Sequence, residues 1–191
     1  MEVKNLIRAC VDELDRPLIR LGLIPFVSSL AAIKNRTPFA LIYPSGGVWI
    51  HRQRGGAVVD RRVNFQSIQK FSDGTEDVWG WVYSPKPGDT IIDVGAGIGN
   101  ETLYYSKMVG STGKVIAIEA HPATFACLKK FCELNRLSNV VPIHVAVGDQ
   151  EGRVLIEDRE EHVSNSIIGT HGGTEVPMKT LDQIVKELAH L

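Results

Sequence analysis

The sequence is poor in the features that mark secreted or metal-binding proteins. It has only three cysteines in 191 residues, Cys10, Cys127 and Cys132, and no C-x-x-C spacing. An odd and small number of cysteines argues against a disulfide framework and predicts free thiols in a reducing compartment, so we expect a cytoplasmic protein. The sequence also lacks H-E-x-x-H and aspartate-rich motifs, and we predict no metal site.

An excess of charge of one sign and a long apolar run are missing as well. Lysine plus arginine is 21 and aspartate plus glutamate is 22, a formal net charge of −1. This balance predicts no nucleic-acid partner. The most apolar stretch, residues 21–33, is shorter than the roughly 20 residues of a spanning helix and contains Pro25. It predicts a helix packed on a domain, with peripheral contact to a membrane surface as the alternative.

The composition that remains, 43% hydrophobic and 23% charged, is typical of a folded globular chain. Helical spacing predicts helices over residues 3–14 and 25–33, and two apolar runs around a Pro-Ser-Gly-Gly turn predict a hairpin of strands 39–43 and 48–52. Residues 61–71 fit either a strand or a helix. We therefore expect an N-terminal extension of helices and a β-hairpin over residues 1–72.

The pattern changes near residue 84, where buried strands begin to alternate with helices. Strands are predicted over residues 90–94, 114–119, 140–147, 153–157 and 175–178, and helices over 101–109, 123–135 and from Thr180 to Leu188. Continuous apolar strands are typical of a parallel sheet covered on both faces. The order predicts an α/β fold, a Rossmann-like partial parallel sheet flanked by helices, in a domain over residues 73–191.

A glycine-rich loop follows the first buried strand, with the sequence Asp93-Val94-Gly95-Ala96-Gly97-Ile98-Gly99-Asn100. Glycines between a strand and a helix allow the backbone to approach a ligand, and the helix N-terminus presents free N–H groups to it. A dinucleotide site needs a third glycine at position 100, which is Asn100. The spacing G-x-G-x-G with Asp93 ahead resembles the first motif of S-adenosylmethionine (SAM) methyltransferases; an NAD-dependent oxidoreductase is the weaker alternative.

Glu119 ends the second buried strand, where a carboxylate can accept two hydrogen bonds from a ribose diol. SAM and NAD both carry that diol, so Glu119 indicates a nucleoside ligand without choosing between them, unless it is a strand-end carboxylate in solvent. The third strand ends at residues 146–149, which would either flank an adenine ring or form a plain turn.

A wider set of motifs is similar to the FkbM-type SAM-dependent methyltransferases. The set is Pro87-Gly88-Asp89, the loop 93–99, and residues 119–122, 134–137, 146–152 and 176–182. The resemblance covers about residues 72–185 and implies a class I methyltransferase fold with SAM as cofactor. It also implies O-methylation of a small-molecule or glycan hydroxyl. The family has a comparable acid upstream of the first strand; Glu76 would either take that place in the donor pocket or be an exposed loop acid.

The candidate cofactor-binding residues are Asp93, Gly95, Ala96, Gly97, Gly99, Asn100, Glu119, Ala120, Ala146 and Glu76. No catalytic residue is assigned; the candidate bases by position are His144, Asp149, His162 and His171. A basic cluster of Arg52, Arg54, Arg61 and Arg62 fits either a phosphate or glycan acid or a solvated face.

The resemblance has two departures. Gly97 stands where the family usually has asparagine, and the chain ends at Leu191, ahead of the family's strand with an Asp-x-Glu-Gly motif. We therefore expect the donor-binding half without the acceptor half, which leaves a non-catalytic or truncated SAM- or nucleoside-binding module as the alternative. We also expect the strand over residues 90–94 to be an open sheet edge, through which homo-oligomers could form, or to be covered by the N-terminal helices or a second copy.

Overall fold

The structure is a computed structural model that describes residues 22–71, 75, 83–157, 167–168 and 173–188. The chain divides into two compact units, Met1–Asp73 and Gly74–Leu191. The helix predicted over residues 3–14 lies outside the described residues, as do Glu76, His162 and His171.

The first unit is a helix packed on a small antiparallel sheet. Its elements are α1 (Ile24–Lys34), β1 (Ala40–Ser45), β2 (Val48–Gln53), β3 (Gly56–Asp60) and a short helix α2 (Ile68–Phe71). The predicted hairpin is confirmed, with Tyr43 opposite Ile50. The strand β3 was not predicted; it pairs with β2 and places Val58 opposite His51.

Apolar residues on one face of α1 build the core of this unit. Val27 and Ala31 pack against Ile42 of β1, Trp49 of β2 and Val63. Ser28 lies on the same face, and its Oγ accepts a hydrogen bond from the Ile42 backbone N at 2.9 Å. Because this backbone N–H, which points at the helix, is hydrogen-bonded, its burial carries no free-energy penalty for an unpaired donor.

The second unit is built on a parallel sheet. Its elements are β4 (Thr90–Val94), α3 (Asn100–Val109), β5 (Lys114–Glu119), α4 (Pro122–Asn135), β6 (Val140–His144), β7 (Ala146–Val147), β8 (Gly152–Glu157), β9 (Ile167–Ile168), β10 (Gly173–Lys179) and α5 (Leu181–Leu188). The strand order β4-β5-β6 is parallel throughout. The predicted α/β class, a partial parallel sheet flanked by helices, is confirmed.

Burial explains why the central strand reads as a continuous apolar run. In β5, the side chains from Val115 to Ile118 are all at most 2% exposed. In the register, Asp93 of β4 lies opposite Ala117, and Glu119 of β5 lies opposite His144 of β6. Parallel strands end at the same edge of a sheet, so the register brings the ends of β4 and β5 together.

A second sheet, in the order β7-β10-β8-β9, follows the parallel one. The predicted pairing of residues 153–157 with 175–178 is confirmed, with Glu175 opposite Leu155. The predicted strand over residues 140–147 is divided, since its last two residues pair with β10 instead of β5. Thr180 caps α5 as predicted: its Oγ1 accepts from the Gln183 backbone N at 3.2 Å.

The strand β4 pairs with β5 alone among the described strands, as expected for a sheet edge, and Val94 at its end is 54% exposed. Within the described ranges, no helix has the length and apolar character required to span a bilayer. The cytoplasmic location stays a prediction.

Candidate functional site

The glycine-rich loop leaves β4 and turns back onto the end of β5. The backbone N–H groups of Gly95 and Ala96 both donate to the Ile118 carbonyl oxygen, at 2.9 and 3.0 Å. The loop then closes on itself, because the Gly99 N–H donates to the Ala96 carbonyl at 3.0 Å. These bonds fix the loop at the carboxyl edge of the parallel sheet, where ligands of open α/β sheets bind.

Two glycines of this loop are required for different reasons. Gly99 has a φ of +104°, and a Cβ there would lie 2.8 Å from Phe131 Cδ1 of α4. Its role is to let the start of α3 pack against α4. Gly95 has a φ of +77°, but a Cβ there would meet no heavy atom within 4 Å. The side of the loop at Gly95 is therefore open, as a ligand-facing surface would be.

Glu119 is held by backbone donors on both sides. Its Oε2 accepts from the Gly97 N–H at 2.9 Å, and its Oε1 accepts from the His121 N–H at 2.8 Å. The residue is only 9% exposed, so the alternative of a strand-end carboxylate in solvent does not describe it. A carboxylate has about four acceptor sites, so each oxygen keeps capacity for one hydroxyl of a ribose diol.

Asp93 is the second buried carboxyl at this edge, and it is 9% exposed. Burial raises its pKa from 3.8 to about 6, although the hydrogen bond from Thr102 works against this shift. The charges of Glu101 and Glu119 raise the pKa further. A group positioned to gain from a nearby cation fits the ammonium end of a ligand such as SAM.

Thr102 was not singled out from the sequence, although it contacts a candidate residue directly. Its Oγ1 donates to Asp93 Oδ2 at 2.6 Å, and the side chain is fully buried in the first turn of α3. The position of Thr102 in the sequence could have indicated this contact, because a threonine in the first turn of the helix after the glycine loop can reach back to the end of the strand.

The residues beyond Glu119 form a packed group. Ala120 packs against a cluster that contains Ala146 and Met178, so the two candidate alanines come together. His144 Nε2 lies 3.0 Å from the Ala120 carbonyl oxygen, and its ring stacks on Phe125 with centroids 4.8 Å apart. This candidate base therefore has a structural contact, which supports the turn after Glu119.

The sequence-predicted residues thus fall into three groups. Asp93, Glu119 and the loop residues 95–99 converge at the ends of β4 and β5, and Asn100 begins α3 beside them. Ala120 and Ala146 lie on the far side of Glu119. Asp149 is exposed beyond β7. The first group fits SAM, because it offers diol acceptors, a carboxyl that gains from a cation, and an open glycine surface.

Comparisons with known proteins place this site in a methyltransferase context. A family model described as the TRM5/TYW2 methyltransferase domain matches residues 77–188. The tRNA (adenine(58)-N(1))-methyltransferase catalytic subunit TRM61 of Yarrowia lipolytica is 37% identical over 59 residues, which are 31% of this chain and 15% of that protein.

Two solved structures resemble part of the chain. A SAM-dependent methyltransferase from Aquifex aeolicus has 29% sequence identity and a TM-score of 0.35, and the match covers 41% of this chain and 42% of that one. M. jannaschii TYW2 in complex with AdoMet has 25% identity and a TM-score of 0.35, with 55% and 46% covered. The chain spans less than half of each of these two relatives.

Two expectations change with these matches. The matching family model is TRM5/TYW2 rather than FkbM, so the resemblance is supported only at the level of the SAM methyltransferase superfamily. The prediction of no nucleic-acid partner is wrong, because the Yarrowia relative is named as a tRNA methyltransferase. A balanced net charge is a sum over the whole surface and cannot exclude a local basic face.

Proposed function

The chain belongs to the TRM5/TYW2 methyltransferase-domain family, and from that membership we propose that it transfers the methyl group of SAM to an RNA acceptor of the tRNA class. SAM is the cofactor of this domain, so the oxidoreductase alternative falls away. The observation that carries the proposal is the convergence of Asp93, Glu119 and an open glycine loop at one sheet edge within the matched residues.

The chain's own groups divide the work of holding the donor. When bound, SAM supplies an electrophilic methyl group on a sulfonium. Glu119 would accept hydrogen bonds from the ribose hydroxyls, and its two backbone contacts keep the carboxylate from turning away. Asp93 would face the ammonium end, with Thr102 fixing the plane of its carboxyl. Such positioning supplies much of the acceleration that methyl transfer needs, because it removes the entropy of bringing the reactants together.

An RNA acceptor is supported by the names of the relatives rather than by a visible acceptor pocket. TRM61 is named for adenine in tRNA, and the family model is named for TRM5 and TYW2. The resemblance to FkbM-type enzymes, from which an O-methylated hydroxyl was expected, supplies the competing acceptor in the test.

The test follows tritium from labelled SAM into a pool of unmodified tRNA transcripts and, separately, into sugar and small-molecule hydroxyls. We expect label in RNA, and strong loss of SAM binding and transfer in Glu119→Gln. Glu133→Gln is the matched control, because Glu133 is an exposed acid of α4 paired with Lys130. Label only in small molecules, or SAM binding without transfer to any acceptor, would refute the proposal; the second result would indicate a binding module.

A further inference from the structure

The described part of the first unit is strongly basic, although the whole chain is balanced. Residues 22–71 hold seven lysines and arginines and a single acid, Asp60, a formal charge of +6. The whole chain has a formal charge of −1, so the remaining residues together carry −7. A segregation of this size creates a local field that the net charge conceals.

Five of these cations are exposed at the same end of the unit. We name as the basic end the set Lys34, Arg36, Arg52, Arg54 and Lys70. The strand register explains the grouping: Ala40, the first residue of β1, lies opposite Gln53, the last residue of β2. The loop between α1 and β1 and the turn between β2 and β3 therefore lie at one end of the sheet.

Hydrogen bonds to the segment of residues 65–70 tie this end together. Asn35 Nδ2 donates to the Phe65 carbonyl at 3.0 Å, beside Lys34 and Arg36. The amide of Gln69 donates to the Arg54 carbonyl at 3.4 Å, and so brings α2, with Lys70, to the turn between β2 and β3. The backbone segments that carry the cations are thus hydrogen-bonded to one another at this end of the sheet.

Asp60, the only acid among residues 22–71, does not neutralise the basic end. Asp60 lies opposite Trp49, four residues before Gln53 on β2, which places it about 13 Å away along the strand. Its carboxylate already accepts from the Arg61 backbone N at 2.7 Å and from Asn64 Nδ2 at 2.9 Å. At physiological salt the Debye length is about 8 Å, so Asp60 is largely screened from these cations.

Aromatic and amide groups stand among the cations. Phe39, in the loop before β1, is 49% exposed, and Lys34 Nζ lies 5.6 Å above the Phe65 ring. The side chains of Gln66 and Gln69 are exposed at the same end. Cations for phosphates, together with a ring on which a base can stack, form the combination that single-stranded nucleic acid requires.

We propose that the basic end binds the phosphate backbone of unpaired RNA and that Phe39 stacks on one of its bases. The choice of RNA over an anionic lipid surface rests on the proposed function. The positive charge of the basic end, the grouping of its cations and the exposure of the Phe39 ring are independent of that function.

The test measures binding of a fluorescently labelled, unmodified tRNA transcript by anisotropy between 50 and 200 mM salt, with the full chain. If all five cations meet phosphates, the slope of log K against log salt is about −3.5 for single-stranded contacts. In Arg52→Gln/Arg54→Gln the slope becomes less steep, at about −2, and the affinity at 100 mM salt decreases at least tenfold, roughly. The matched control is Lys107→Gln/Lys129→Gln, which removes two exposed lysines from α3 and α4.

A second variant separates stacking from charge. Phe39→Ala should weaken RNA binding roughly tenfold without a change in salt slope, and Phe39→Trp should restore it. An unchanged slope in the arginine variant, or an equal loss in the lysine control, would overturn the proposal. So would binding to phosphatidylglycerol vesicles without binding to RNA.

These outcomes are distinct from a failure of methyl transfer. SAM affinity, measured by calorimetry, should be the same in the wild type and in all four variants. RNA binding at the basic end with no transfer of label would refute the proposed function alone. Transfer to tRNA that is unaffected by the arginine variant would refute the basic end alone.

Discussion

Replacing Asp93 with asparagine should make the protein more stable and its SAM binding weaker. In the folded chain, burial raises the pKa of Asp93 from 3.8 to about 6. Between these values the unfolded chain loses the proton while the folded chain keeps it, so the free energy of unfolding falls as pH rises. Above pH 6 the folded chain carries the full cost of a buried charge.

The size of the effect follows from the shift itself. About two pKa units correspond to about 3 kcal/mol, at 1.36 kcal/mol per unit. The asparagine variant keeps an acceptor for Thr102 Oγ1 but carries no charge, so it escapes this cost. We expect its advantage to be below about 1 kcal/mol at pH 4 and to approach about 3 kcal/mol at pH 8.

The assay is urea unfolding of both proteins at several pH values between 4 and 8, with SAM affinity measured by calorimetry on the same samples. Glu133→Gln controls for loss of a carboxylate at an exposed helical position. Wild-type SAM affinity should fall as pH drops below about 6, because a protonated Asp93 no longer attracts an ammonium group. A variant that is less stable at pH 8, or a stability difference independent of pH, would refute the reasoning.

Three further predictions use the same site and its surroundings. In wild type the hydrogen bond from Thr102 lowers the pKa of Asp93, so Thr102→Val should raise that pKa and move the fall in SAM affinity to higher pH. Thr102→Ser should restore the wild-type pH dependence, and calorimetry across pH measures both. Gly99→Ala should cost about 2 kcal/mol or more in urea unfolding through backbone strain and collision with α4, whereas Gly95→Ala should cost about 1 kcal/mol from φ alone and mainly reduce SAM affinity. Cys132, whose pKa burial raises to about 12, should resist iodoacetamide at pH 8 until urea unfolds the protein, as mass spectrometry would show; labelling of the native protein would contradict its burial.

Much of the fold could be predicted because the apolar residues of the parallel strands form recognisable runs in the local sequence. The strand β5 has the bounds that were predicted, because its apolar run from Val115 to Ile118 is buried on both faces and has no polar interruption. In contrast, β3 has only three apolar residues between a glycine pair and Asp60. So short a run carries no period, and only its pairing with β2 reveals it.

The site could be predicted only as far as single positions allow. Asp93, Glu119 and the loop follow from motif and strand end. That Glu119 accepts from Gly97, 22 residues away, depends on the register of β4 and β5 and has no local signal. The basic end is similar, since its cations come together through the pairing of β1 with β2 and through α2.

The position of β10 has a consequence for the order in which the chain folds. The parallel sheet of β4, β5 and β6 needs no residue beyond His144. The two residues of β7 must wait for Met178 and Lys179, their partners some 30 positions later. During synthesis, the sheet edge with the glycine loop and Glu119 can therefore form first, whereas Ala146 can pair only after β10 has been synthesised. We infer a late folding step, slowed by the separation of the two paired strands along the chain, which packs Ala146 beside Ala120 after the donor edge has formed.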